Sequence, residues 1–264
     1  MSVFGITMVK DEADIIAGTL LHMASEVDHL IVADNGSTDG TRKILLDLLD
    51  QLPITLVDDP DAAYYQSRKM SALAEQAAAA GAEWIVPFDA DEIWYSPDGR
   101  IRDTLKEWQF AGNVAGARLL NHLCTALDEN VPNPFQSMVW RQRDFQRLPK
   151  VAFRWQPGAV IHQGNHGVSL PDGNDLPINM LEVRHFPVRS ADQLIRKARN
   201  GAEAYRLTDL DEDSGRHWRG WGRILDERGE EALGDVFRAH WWYLSPVDAG
   251  LVYDPAPYRR WDNT

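Results

Sequence analysis

Four short apolar runs recur through the first hundred residues, each ending in acidic or amide residues, with a helical stripe between each successive pair. Residues 3–9 form the first run, and Lys10-Asp11-Glu12 breaks it. Ile15, Ile16, Leu20, Met23 and Val27 then repeat at helical spacing. Residues 29–33 form the second run, which meets Asp34-Asn35-Gly36-Ser37-Thr38-Asp39-Gly40-Thr41, a turn rich in glycine and capping side chains. Ile44, Leu45, Leu48, Leu49 and Leu52 stripe the next helix, which Pro53 ends. Residues 54–57 give a third strand, 64–80 a helix with Gly81 as its stop, and 84–88 a fourth strand. Buried β-runs alternating with helices predict an open, mainly parallel α/β sheet flanked by helices. In such sheets ligands bind outside the carboxyl ends of the strands. All four breaks fall there, so the pattern predicts one polar edge.

The fourth run ends in Asp89-Ala90-Asp91-Glu92. Read as continuing strand, it sets Asp89 and Asp91 on one side with Ala90 opposite. Two carboxylates so close call for a positive partner, and a hard divalent cation completed by waters and substrate phosphates fits that need. An isolated Asp-x-Asp more often ends as a solvated turn, so the surrounding chain decides.

The net charge of −13 disfavours broad affinity for nucleic acid or anionic membranes. The single cysteine, Cys124, excludes an intrachain disulfide and reads as a small buried hydrophobe. No apolar run approaches the roughly 20 residues that span a bilayer, and the N-terminus lacks the pattern of a signal peptide. A soluble, cytoplasmic protein is the expectation. Seven of the ten tryptophans lie from Trp140 onward.

Beyond residue 101 the pattern loosens. Residues 114–120 and 138–141 read as strands around a polar loop over 121–136, and 151–154 and 159–161 as short strands. Residues 179–186 alternate, with Leu181, Val183 and His185 on one face, and Ser190-Ala191-Asp192-Gln193 opens a capped helix striped by Leu194, Ala198, Ala202 and Tyr205. The division expected is a domain over 1–206 (halves 1–100 and 101–206) with a mostly helical, Trp-rich extension over 207–264.

The segment from Ile31 to Thr41 resembles the nucleotide-binding segment of family 2 glycosyltransferases with the GT-A fold. Lys10-Asp11-Glu12 and Phe88-Asp89-Ala90-Asp91-Glu92 resemble the flanking motifs in the right order, and His185-Phe186-Pro187-Val188-Arg189-Ser190 with Gln193, Lys197 and Gly201 resembles a subgroup. The resemblance implies a GT-A-like fold and a nucleotide-sugar donor, UDP-linked by first choice, with GDP or dTDP as alternatives. It implies that Thr7, Glu12, Asp34 and Asn35 line the base and ribose pocket, and that Asp89 and Ala90 lie at the ribose and metal. Arg68 matches a basic position of the family, although Lys69 stands where the family often has asparagine. Asp91 would ligate Mn2+ or Mg2+, with Asp89 beside it.

A leaving diphosphate needs its growing charge neutralised, by a cation and by Arg or Lys. His185 is a candidate metal ligand, with a plain hydrogen-bonded strand histidine as the even alternative. Arg189, Arg196 and Lys197 lie near the start of the capped helix, and Arg189 is the favoured diphosphate contact. Inversion at the sugar carbon requires a base for the acceptor hydroxyl. The candidates, in order, are His166, Glu182 and Asp128. The acceptor is left open between glycan, protein and small molecule, with DNA disfavoured by charge. Trp140, Trp155, Trp218, Trp221, Trp241 and Trp242 read as core first and as sugar-stacking surface second. A nucleotidyltransferase of similar fold, or a non-catalytic nucleotide-sugar-binding module, would share the sheet. The first lacks its glycine-rich opening loop here. The second sits poorly with a full set of carboxylates.

Overall fold

The computed structural model describes residues 1–256 other than 98, 109, 111 and 129–132. Its first part runs β1 (Val3–Val9), α1 (Ile16–Glu26), β2 (His29–Asp34), α2 (Thr41–Leu48), β3 (Ile54–Asp58), α3 (Gln66–Ala79) and β4 (Trp84–Pro87). Then come β5 (Glu92–Tyr95), α4 (Ile101–Trp108), β6 (Val114–Asn121), β7 (Cys124–Thr125), α5 (Pro134–Ser137) and β8 (Trp140–Arg141). Next are β9 (Lys150–Arg154), β10 (Val160–Ile161), β11 (Val168–Ser169) and β12 (Ile178–His185). The helices α6 (Ala191–Arg206) and α7 (Arg216–His240) follow, with short strands β13 (Trp242–Tyr243) and β14 (Val252–Tyr253) after them.

Eight strands form one sheet in the order β3-β2-β1-β4-β9-β6-β12-β5. β1 pairs in parallel with β2 and β4, β2 with β3, and β6 with β12. Only β9 and the edge strand β5 run against the others in this sheet. The expected α/β architecture, mainly parallel and flanked by helices, is the one the chain adopts. Its apolar runs bury a core on each face. Ile16, Leu20 and Met23 of α1 and Leu45 of α2 pack on one side, and Met70, Leu73 and Ala77 of α3 on the other. Each of these leucine, isoleucine and methionine side chains contributes about 1.5–3 kcal/mol by leaving water.

The Asp-x-Asp stretch departs from the expected continuous strand. β4 stops at Pro87, which has no N–H to extend a ladder. Phe88 makes a last bond to Ile6, and the Glu92 N–H closes a turn on the Asp89 carbonyl at 3.1 Å. The chain then leaves for the far edge of the sheet, where β5 pairs with β12. A turn, not strand alternation, therefore sets the two aspartates. Residues 138–141 also shorten to β8, preceded by α5, whose first turn Asn133 caps through the Phe135 N–H. Part of the expected 121–136 loop, residues 129–132, lies outside the described residues, as does 257–264 of the expected extension.

Ser190 caps α6 by accepting the Gln193 N–H at 3.0 Å, and Gln193 returns an oxygen to the Arg189 N–H at 3.2 Å. α6 and α7 share a third apolar cluster with Phe186, Val188, Leu194, Leu233 and Phe237. The expected boundary at 206/207 falls in the loop between these two helices. Gly201 permits their approach: a Cβ there would lie 2.5 Å from the Trp218 ring.

Candidate active site

The carboxyl ends of β1, β2, β6 and β12, and the turn after β4, open onto one cavity of about 840 Å³. α6, α7 and the loop before β9 wall its other side.

At the β1–β2 end, Asp11 adopts φ 55°, a left-handed conformation that aspartate tolerates better than most residues. Its carboxylate takes the Thr38 N–H at 2.6 Å and the Asp39 N–H at 3.2 Å, and accepts from Asn200 of α6 at 2.6 Å. Asp34 accepts the Ser37 N–H at 3.1 Å and faces Arg42 at 3.4 Å. Asn35 donates to Asp59 at 2.8 Å and to the Asp61 carbonyl at 2.7 Å, while Lys69 holds Asp59 at 2.7 Å. Asp11, Glu12 and Asn35 line the cavity, whereas Asp34 and Thr7 stand behind its surface. Thr7 is fully buried, and its hydroxyl has no hydrogen-bond partner among the described residues. Arg68 points elsewhere: it pairs with Asp61 at 2.7 Å and lies over the Tyr65 ring, outside the cavity lining.

At the centre, the turn after β4 presents Asp89, Ala90 and Asp91. Asp89 is fully engaged by the protein. Its Oδ2 faces the Lys150 ammonium at 2.6 Å, and its Oδ1 accepts from Asn165 at 2.9 Å and Gln66 at 3.3 Å. Asp91 faces Lys197 at 2.6 Å, His185 Nε2 at 3.6 Å and Arg189 at 3.8 Å. Burial works against the charged form of Asp91, but Lys197, His185 and Arg189 outweigh it and hold the carboxyl well below its ordinary range. Asp89 moves the other way: burial, with Glu92 and Asp91 nearby, outweighs Lys150 and raises it. The His185 ring is oriented by Asn121, whose Oδ1 lies 2.8 Å from Nδ1. An amide oxygen only accepts, so Nδ1 donates to Asn121 and Nε2 is the nitrogen turned toward Asp91. Arg189 is buried, anchored on Glu12 and, at 2.6 Å, on Asp14, with Arg196 at 3.9 Å from the same aspartate. It is held charged by those acids against its burial.

His166 lines the cavity and sits 3.0 Å from the Pro149 carbonyl through Nδ1, which leaves Nε2 as the basic nitrogen. Burial first, then Lys150, lowers its pKa, so the ring is neutral at neutral pH. Glu182 and Asp128 stand outside the cavity lining. Glu182 is held by Tyr95, Arg118 and Arg184, and Asp128 accepts the Thr125 N–H at 2.5 Å. Trp218, Trp221 and Trp241 line the cavity, while Trp140, Trp155 and Trp242 do not. Cys124 is buried and its thiol is pushed up to about 12 by burial, a packed side chain and not a nucleophile. Sequence reasoning missed Lys150, Asn165, Gln66 and Asn200. Each meets its partner across a long stretch of chain, and none belongs to a local pattern.

Residues 6–166 match the family model described as Glycosyl transferase family 2, more than half of the 264-residue chain. The chain belongs to glycosyl transferase family 2. The match spans the parallel half of the sheet, the Asp-x-Asp turn and the segment carrying His166, and stops before β12 and α6. A TPR repeat-containing protein of Synechococcus elongatus is 30% identical over 145 residues, 50% of this chain and 34% of that protein. The chain thus matches about a third of that relative's length. Similar solved structures include S. aureus TarS 1–349 in complex with UDP-GlcNAc, at TM-score 0.44 and 13% identity over 90% of this chain and 81% of that one. GalNAc-T7 with UDP, GalNAc and Mn2+ has TM-score 0.42 and 12% identity over 91% of this chain and 58% of that one. Among the described residues no helix is long and apolar enough to cross a membrane.

Proposed function

We propose that this family 2 glycosyltransferase domain moves a sugar from a nucleotide-diphosphate sugar, UDP-linked by first choice, to a hydroxyl acceptor with inversion, using Mn2+ or Mg2+. The observation that carries the reading is the Asp91–His185 pair. A carboxylate oxygen and an imidazole nitrogen face each other at 3.6 Å inside a cavity that Asn35, Gln66 and Asn200 also line. Two such groups repel unless a cation or a proton lies between them. Among the described residues no group of three His, Cys, Asp or Glu is disposed to hold an ion alone. One carboxylate, one imidazole and substrate phosphates suit Mn2+ or Mg2+, the latter rarely being caged by protein alone. Asp91 and His185 would hold the ion, which when bound supplies a Lewis acid to the leaving diphosphate.

The chain's own residues do the rest. Lys197 is partly exposed and can turn from Asp91 to a phosphate oxygen, while the buried Arg189 keeps a fixed positive charge behind it. Asp11, Asn35 and Glu12 offer acceptor oxygens to the nucleoside, with Asp34 bracing their turn. His166 Nε2 is the favoured base for the acceptor hydroxyl: neutral, tautomer-fixed and facing the shared cavity. The cavity carboxylates Asp11, Glu12, Asp89 and Asp91 already face amide or cationic donors. Incubation with UDP-, GDP- and dTDP-sugars, with and without Mn2+, tests the reading. It predicts metal-stimulated release of nucleoside diphosphate from one of them. Release from none, with or without metal, would reject it.

A further inference from the structure

We propose that Lys150 and Glu92 are positioning residues for the Asp89–Asp91 turn: a buried ammonium–carboxylate lock that occupies Asp89 from within and leaves Asp91 Oδ1, which faces His185, as the oxygen for an external cation. The assignment rests on the reading of this cavity as a metal-assisted donor site.

Lys150 begins β9, between β4 and β6 in the sheet, and its side chain is 3% exposed. Its ammonium has three donors and three oxygens within reach: Asp89 Oδ2 at 2.6 Å, Glu92 Oε1 at 2.7 Å and the Gly164 carbonyl at 2.8 Å. Glu92 is completely buried. Its other oxygen accepts the Asp89 backbone N–H at 3.1 Å and the Trp94 indole N–H at 3.0 Å. Glu92 thus grips the turn by its backbone while Lys150 grips it by the Asp89 side chain. Lys150 cannot leave this pair without stranding Glu92, a carboxylate with no access to water.

The contrast with Asp91 is chemical. Lys197, its partner, is 23% exposed and shares its ammonium with the Pro187 carbonyl at 3.3 Å and Glu12 at 3.7 Å. That lysine can therefore turn to other acceptors when an ion takes its place at Asp91. At Asp89 both oxygens are already satisfied, one by Lys150 and one by the amides of Asn165 and Gln66. The lock therefore ensures that a cation is received at one carboxylate, in one place, beside His185.

The test is Mn2+ uptake by the UDP-saturated protein, followed by loss of the free-ion resonance signal. Asp91→Asn is expected to weaken binding at least about tenfold, and Asp89→Asn to change it by no more than about threefold. Lys150→Met/Glu92→Gln keeps net charge and bulk but frees Asp89, and is expected to bind Mn2+ about tenfold tighter. A gain of affinity is not what a loosened structure produces. Asp89→Asn weakening Mn2+ as much as Asp91→Asn, or a double variant that binds no tighter, would overturn the lock. If the wild type takes up no Mn2+, the metal reading fails separately and melting decides the lock. Lys150→Met alone should then melt well below Lys150→Met/Glu92→Gln, and equal melting would overturn it.

Discussion

Asp91 illustrates how much of this site depends on charge arriving from elsewhere in the chain. Its carboxyl is buried yet ionised because Lys197, 106 residues on, His185 and Arg189 surround it. Asp91→Asn should therefore abolish metal-stimulated turnover while leaving the fold intact, checked by activity and circular dichroism together. For His166 the prediction concerns pH. Its pKa is lowered below 6.5, so the ring stays neutral down to mildly acidic pH. A general base must be unprotonated, so transfer to an acceptor should be lost only as pH falls below about 6.5, and His166→Ala should remove that limb. The motif residues were legible because the family's spacing lies within local segments. Their partners were not: Lys150 reaches Asp89 from 61 residues away and Asn165 from 76, and sequence periodicity carries no information about such meetings.

Among the elements, β12 has the most to hold. It carries His185 at its end and pairs with β6 and β5 at once. His122, just after β6, fastens that end: its N–H donates to the His185 carbonyl at 2.8 Å, its ring faces the Met138 carbonyl, and it stacks on Phe186 at 4.5 Å. Burial, the largest influence, lowers the ring's pKa to about 4. An unfolded histidine binds a proton near 6.5, so between about 6.5 and 4 the unfolded chain holds more protons and stability falls with pH. The lost stability reaches roughly 3 kcal/mol near pH 4, and is fully present above 6.5. Melting temperatures across that range should show the slope, and His122→Phe should flatten it. At α6, Ser190→Ala removes the cap over Gln193 and should cost about 1 kcal/mol in denaturant unfolding. This helix was readable in advance because capping box and apolar stripe coincide within a few residues. The Asp-x-Asp strand was misread because an apolar run does not reveal that Pro87 ends the ladder and a turn begins.

Across the whole molecule, the C-terminal segment is tied to the sheet through charge as well as packing. Asp254 accepts from Arg141 at 2.6 Å and Arg184 at 2.5 Å, next to β14, which pairs with β8. Arg184 is 7% exposed, so Asp254→Asn weakens a mostly buried network and should lower stability by roughly 3 kcal/mol, read as a drop in melting temperature. The same segment brings Trp241 to the cavity, because the Trp241 carbonyl accepts the Cys124 N–H at 3.1 Å and β13 pairs with β7. That long-range closure was invisible in the sequence, where the tryptophans showed only an aromatic excess. The proposed function requires this cavity to bind a nucleoside diphosphate through a cation at Asp91. Calorimetric titration of UDP, GDP and dTDP into the wild type and Asp91→Asn, each with Mn2+ and with chelator, tests it most directly. One diphosphate is expected to bind the wild type at least about tenfold more tightly with Mn2+, and Asp91→Asn to lose that gain. Equal affinity with and without Mn2+ in both proteins, or binding of none of the three, would contradict it.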